Sequence, residues 1–201
     1  MLSEKFVFLA ISLNFFGASS YVVETLRGRT KPNRVTWFLW ALAPLIAFFA
    51  ELDEEVGVQA LMTLMVGLMP ALIFLASFVN EQSSWQITRF DVICGALSMA
   101  GLALWLLTQV GNVAILFSIL ADGLAGVPTV VKAWRRPETE SSGVFWLAAM
   151  SALITLLTLD RWDFAHVGFP LYILGICGLL AVLITFCLGK RVSRGNMKYA
   201  G

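Results

Sequence analysis

Residues 6–27, FVFLAISLNFFGASSYVVETLR, and residues 114–135, AILFSILADGLAGVPTVVKAWR, are two versions of one segment. Each is an apolar run long enough to cross a bilayer as a helix, each ends in Val-Val and an arginine, and each has one polar residue in its middle, Asn14 or Asp122. The offset between them is 108 residues, and it extends without a gap over residues 6–79. Identities include Ile11/Ile119, Arg27/Arg135, Leu39/Leu147, Leu45/Leu153, Gly67/Gly175 and Phe78/Phe186, 12 in 74 positions. Leu- and Ala-rich segments match often by chance. The coincidence of the basic connectors and of the Asn14/Asp122 pair raises this match above that background and points to two copies of a three-helix unit.

Working outward, seven apolar stretches appear: 5–26, 35–51, 58–79, 91–108, 112–134, 143–159 and 167–189. Hydrophobic residues form 59% of the chain and charged ones 13%, and the mean hydropathy is +0.82, outside the range of a soluble domain. Stretches two and six are short for a bilayer. The expected organisation is a single all-α membrane domain over 1–201. Its first three-helix repeat spans 5–79, its linker helix 91–108, its second repeat 112–189 and its basic tail 190–201. Three crossings reverse the chain, so a second copy in the same orientation requires the additional helix, a 3+1+3 layout with parallel repeats.

Arg27, Arg29, Lys31 and Arg34 follow the first stretch, Lys132, Arg135 and Arg136 the fifth, and Lys190, Arg191, Arg194 and Lys198 the last. With Arg89, one side collects 12 of the 14 Lys and Arg residues; the other holds Lys5, Arg161 and the acidic run Asp53-Glu54-Glu55. The positive-inside rule then predicts seven crossings in a plasma or inner membrane, with the N-terminus outside and the tail in the cytoplasm. A cleaved signal peptide is disfavoured, because the basic cluster follows the first apolar run rather than preceding it. The basic residues set topology and touch anionic lipid; they give no sign of nucleic acid.

Catalytic signals are sparse. Cys94, Cys177 and Cys187 all fall inside predicted helices, which argues against a disulfide framework. A single histidine, His166, cannot assemble a metal site of the usual spacing, and no cofactor motif is present. The expectation is a protein that is not an enzyme.

One segment carries a resemblance. Residues 119–152, ILADGLAGVPTVVKAWRRPETESSGVFWLAAMSA, resemble a PQ-loop motif of the SWEET and PQ-loop transporter superfamily. Those motifs end a helix in Pro-Gln and continue through a basic connector and a Ser/Gly step into an aromatic-rich helix. Here Pro128-Thr129, Trp134-Arg135-Arg136, Ser141-Ser142-Gly143 and Phe145-Trp146 take those places, and in the first copy Ser20-Tyr21 stands at Pro-Gln. The resemblance implies a seven-helix 3+1+3 bundle that moves a small solute by alternating access.

Asp122 lies ten residues inside the fifth stretch, about 15 Å at helical rise and close to the bilayer midplane. An ionisable group there should face the interior and hold a proton or a partner, so Asp122 is the expected substrate-binding or proton-coupling residue with Asn14 as its counterpart. The competing reading is helix glue, a protonated Asp122 bonded to Asn14 or backbone, with no other buried charge in the chain. Trp40 and Trp146 could stack on a planar ring or sugar, and Ser19 and Ser20 could line a path, as could Ser12, Thr63, Ser151 and Thr155. Trp37, Trp105, Trp134 and Trp162 read as interfacial belt residues. Pro128, Gly126, Pro44 and Pro70 are the candidate hinges.

The function expected is transport or facilitated passage of a neutral, zwitterionic or cationic solute such as a sugar or amino acid. The alternative is a seven-helix receptor or scaffold that transports nothing. Two repeats in one chain complete a pathway without a second copy, and a homo-oligomer stays open.

Overall fold

A computed structural model describes residues 2–83, 85–108 and 111–192, with side chains described for all of these but 101, 102 and 104–108. Residues 193–201, with Arg194 and Lys198, and the side chain of Trp105 therefore lie outside the described residues. Among the described residues the chain is all-helical. Seven α-helices follow in order: α1 Phe6–Leu26, α2 Arg34–Asp53, α3 Ala60–Ala76, α4 Arg89–Thr108, α5 Gly111–Arg135, α6 Ser142–Leu157 and α7 Phe164–Phe186. Short 3-10 turns occupy Gly57–Gln59, Glu81–Ser83 and Pro137–Thr139.

Each helix falls on one of the seven apolar stretches. Five are long and apolar enough to cross a membrane: α1, α2, α3 with its preceding turn, α5 and α7. The 16-residue α6 is shorter, as its stretch suggested. Large apolar side chains such as Phe8, Phe16, Phe49, Leu75 and Leu171 point outward around the bundle. Water would leave such a surface prone to association, whereas lipid accommodates it. The protein is a multi-pass integral membrane protein.

Local chemistry sets the helix ends. The Asn33 Oδ1 accepts from the Val35 and Thr36 amides and caps α2, while its Nδ2 donates to Asp91 Oδ1 at 2.7 Å. Thr88 and Asp91 form a reciprocal cap at the start of α4, so one buried bond ties the starts of α2 and α4 together. After α1, Gly28 adopts φ +74°, a left-handed turn that glycine makes without strain. The Asp163 carboxylate caps α7 through the His166 amide. Its exposed carboxyl is held below the usual range, chiefly by the hydrogen bond with the His166 ring at 2.6 Å.

The packing repeats. Helix α3 packs on both α1 and α2, and α7 packs on both α5 and α6. Across the middle, α1 lies on α6 and α2 lies on α5, while α4 covers α5 and touches α2. With α4 set aside, exchanging α1, α2 and α3 with α5, α6 and α7 maps these neighbours onto one another; α4 breaks the exchange by packing on α5 and α2. The basic connectors meet at one end: the Lys31 amide donates to the Thr139 carbonyl at 3.0 Å, and Asn80 and Ser83 of the α3–α4 connector bond to the last carbonyls of α1. At the opposite end Gln59 bonds to the Thr158 carbonyl and the Leu2 amide to the Leu157 carbonyl.

Candidate functional site

Helix α5 carries a buried stripe at helical spacing: Ser118, Asp122, Ala125, Thr129 and Lys132. Steps of three and four keep these residues on one face, and that face looks into the bundle. Asp122 is the pivotal member, 2% exposed. Its Oδ2 accepts from the Tyr172 hydroxyl of α7 at 2.6 Å, while its Oδ1 has no hydrogen-bond partner. Two side chains of α2 hold the backbone around it. The Trp40 indole N–H donates to the Asp122 carbonyl at 3.1 Å, and Thr36 Oγ1 donates to the Ala125 carbonyl at 2.7 Å. Both carbonyls lie in the turns before Pro128, where the missing proline N–H loosens the helical ladder. Gly126 makes the approach possible, because a Cβ there would lie 3.2 Å from the Trp40 ring.

Asp122 borders a central cavity with about 50 Å³ of room for water. Six helices line it: α1 with Asn14 and Ala18, α2 with Trp37 and Trp40, α3 with Met69 and Pro70, α5 with Asp122, α6 with Phe145 and Ala148, and α7 with Ile176 and Cys177. Among the described residues, α4 contributes nothing to this lining. The aromatic wall is continuous. Trp37 and Trp40 meet edge to face at 5.3 Å, Phe145 lies 6.2 to 6.4 Å from both, and Tyr21 packs on Trp37 at 4.8 Å.

The expected residues divide. Asn14, Asp122, Trp40 and Pro70 come together around the cavity. Asn14 and Asp122 hold separate partners, since Asn14 Nδ2 donates to Ser151 Oγ at 2.8 Å, so the hydroxyl that anchors Asp122 is Tyr172 and not an Asn14 amide. Trp146 is 40% exposed on the outer face, with its indole N–H on Thr185, and does not line the cavity. Ser19 is half-buried and Ser20 exposed, because the inward face of α1 runs through Asn14, Ala18 and Tyr21. Ser12 is exposed and bonded back to the Phe8 carbonyl, and Thr155 is bonded back to Ser151. Trp37, expected at the interface, is buried against the cavity with its indole N–H unpaired; Trp134 and Trp162 are exposed. Pro44, Gly126 and Pro128 are buried within unbroken helices.

Four further charged residues are buried, Glu51, Asp91, Lys132 and Glu140, and they correct the expectation that Asp122 stands alone. Glu51 near the far end of α2 is 1% exposed, with Thr63 donating to one carboxyl oxygen at 3.0 Å and the other oxygen unpaired. Glu51 closes the apolar stretch 35–51, and the sequence gives no sign of whether a carboxylate at that end is buried. At the basic end, Lys132 pairs with Glu140, donates to the Lys31 carbonyl and lies 4.8 Å from the centre of the Trp85 ring. Tyr21 donates to the second Glu140 oxygen at 2.5 Å. This joint ties Tyr21 of α1 and Lys31 of the α1–α2 connector to Lys132 of α5 and Glu140 of the α5–α6 connector. The signal was the spacing of polar residues on α5, Ser118, Asp122, Thr129 and Lys132 at i, i+4, i+11 and i+14; the Glu140 partner, across a connector, had none.

Chemically the cavity offers one carboxyl, one carboxamide, one thiol and aromatic walls with a free indole N–H. Comparisons with family models, curated proteins and solved structures return no match.

Proposed function

We propose that the protein is a small-solute transporter or facilitator in which two three-helix units, joined by α4 in a 3+1+3 arrangement like that of the SWEET and PQ-loop transporters, rock about the central cavity. The observation that carries this reading is the cavity wall. It draws on both units, and the residues at matching positions in the two copies, Asn14 and Asp122, both stand on it. The exchange symmetry of helix neighbours supports parallel repeats, and the division of basic connectors supports a cytoplasmic basic end. In this conformation the Lys132–Glu140–Tyr21 joint closes the basic end between the two units, and alternating access requires it to part. The solute is neutral, zwitterionic or cationic, since a lone carboxyl repels anions.

Cys177 gives a native reporter, because it lines the cavity. In a Cys94→Ser/Cys187→Ser background reconstituted in oriented vesicles, a membrane-impermeant maleimide should label Cys177 from either side in turn. Glu140→Gln should raise labelling from the basic side several-fold. Access from one face only, unchanged by Glu140→Gln, would instead support a receptor or scaffold with no transport.

A further inference from the structure

We propose that the central cavity selects an organic monocation, an ammonium head that pairs with Asp122 between the Trp37, Trp40 and Phe145 rings. The inference deepens the transporter reading and rests on the cavity being its solute site.

The argument begins with what Asp122 lacks. A carboxyl group buried at mid-bundle needs a counterpart for each oxygen, and Tyr172 supplies only one. Among the described residues, no Lys, Arg or His lines the cavity. The nearest cation on the same helix is Lys132, ten residues away or about 15 Å along the axis, and Glu140 already pairs with it. A counter-charge other than a proton therefore has to arrive with the ligand.

The walls favour the same class. Aromatic rings attract cations through the negative potential of their faces, and indoles do so most strongly. A sugar would need several free donors and acceptors around it. Here the obvious polar groups are already engaged, the Asn14 amide N–H with Ser151 and the Tyr172 hydroxyl with Asp122. Trp37 Nε1 is the exception, a buried donor with no partner. It can take a single acceptor, such as a hydroxyl or carbonyl, on the cation's other end. The pattern thus fits a small ammonium compound with one acceptor group. The present room suffices for a few waters, so the ligand is small or enters as the units part.

The test uses the purified full-length protein and pairs of ligands matched in shape. Choline and its uncharged isostere 3,3-dimethylbutan-1-ol form one pair, and ethanolammonium and propan-1-ol the other. Thermal unfolding is followed with each, together with their protection of Cys177 against maleimide. At least one ammonium compound should raise the unfolding midpoint saturably, at a concentration tenfold or more below that of its isostere. Asp122→Asn should remove the difference, and Asp122→Glu should retain part of it. Equal effects of ammonium and isostere would overturn the proposal. So would an ammonium effect that survives Asp122→Asn, or no response to any ammonium up to tens of millimolar. The two readings fail separately: two-sided Cys177 labelling without charge discrimination leaves the transporter standing, whereas charge discrimination with one-sided labelling describes a cation receptor.

Discussion

Asp122 and Lys132 sit ten residues apart on one face of α5, each 2% exposed, and the protein treats them in opposite ways. Lys132 is saturated: a carboxylate, a carbonyl and an indole ring surround its ammonium group, and Tyr21 takes the remaining oxygen of its partner. Asp122 has one hydroxyl and an oxygen left over beside a cavity. Burial of charge is costly wherever it occurs, so both residues need a reason to be there. A completed set of partners is what a structural joint needs. An incomplete set beside open space is what a binding site needs.

The largest effect should come from breaking the completed set. Glu140→Gln leaves Lys132 buried without its anion, and the cost should be about 3–5 kcal/mol in unfolding measured in mild detergent. The double variant Lys132→Met/Glu140→Met removes both charges and should recover more than half of that loss. If the single substitution is silent, the joint contributes geometry and not charge pairing, and the contrast with Asp122 disappears.

An intermediate effect belongs to the cavity. Tyr172→Phe strips Asp122 of its one hydrogen bond and should cost about 1.5–3 kcal/mol, the range for bonds to a charged or buried acceptor. Asp122→Asn keeps an acceptor for Tyr172 and removes the ionisable group, so stability should move by less than about 1 kcal/mol while ligand response is lost. Stability and function thus separate at Asp122 and travel together at Glu140. A double-mutant cycle between positions 122 and 172 would measure the pair directly.

Much of the helical plan is legible in the sequence because a membrane span is defined by length and apolar content, and both are local properties. All seven stretches became helices, with ends shifted by a few residues. What hydropathy cannot show is rotation about the helix axis, since lipid and a bundle interior are both apolar. Trp37 and Trp40, three residues apart, both turn inward, whereas Trp146 turns to the outside and Ser19 and Ser20 fall off the inward face of α1. Helix α5 is the exception, because polar residues at steps of three and four reveal its inner face directly. Asp122 was readable from its depth in an apolar run and its match to Asn14, and Tyr172 was not, being an ordinary tyrosine in an apolar run whose role depends on a contact 50 residues away. Glu51 was hidden for a different reason: it ends the stretch 35–51, and hydropathy does not tell a buried carboxylate from an exposed one at the end of a span.

The smallest effect completes the contrast by moving the same chemistry into water. Glu138, two residues before Glu140, receives a hydrogen bond from Lys190 at 2.7 Å, with both side chains about half exposed. Its carboxyl is held below the ordinary range, first by that bond, then by a backbone hydrogen bond and the nearby positive charges. A lowered carboxyl pKa means that the pair's contribution is present above the unfolded carboxylate range and fades as pH falls through the lowered value. Solvent screens the pair, so Glu138→Gln should change stability by less than about 0.5 kcal/mol at neutral pH. Even that difference should vanish in high salt or at acid pH, measured alongside Glu140→Gln under identical conditions. Two glutamates two residues apart, each bonded to a lysine, would then differ about tenfold in consequence through burial alone. An equal cost at both positions would mean that Lys190 anchors the end of α7 to the connector. The joint at the basic end would then extend to the surface, and the line drawn between Lys132 and Asp122 would have to include it.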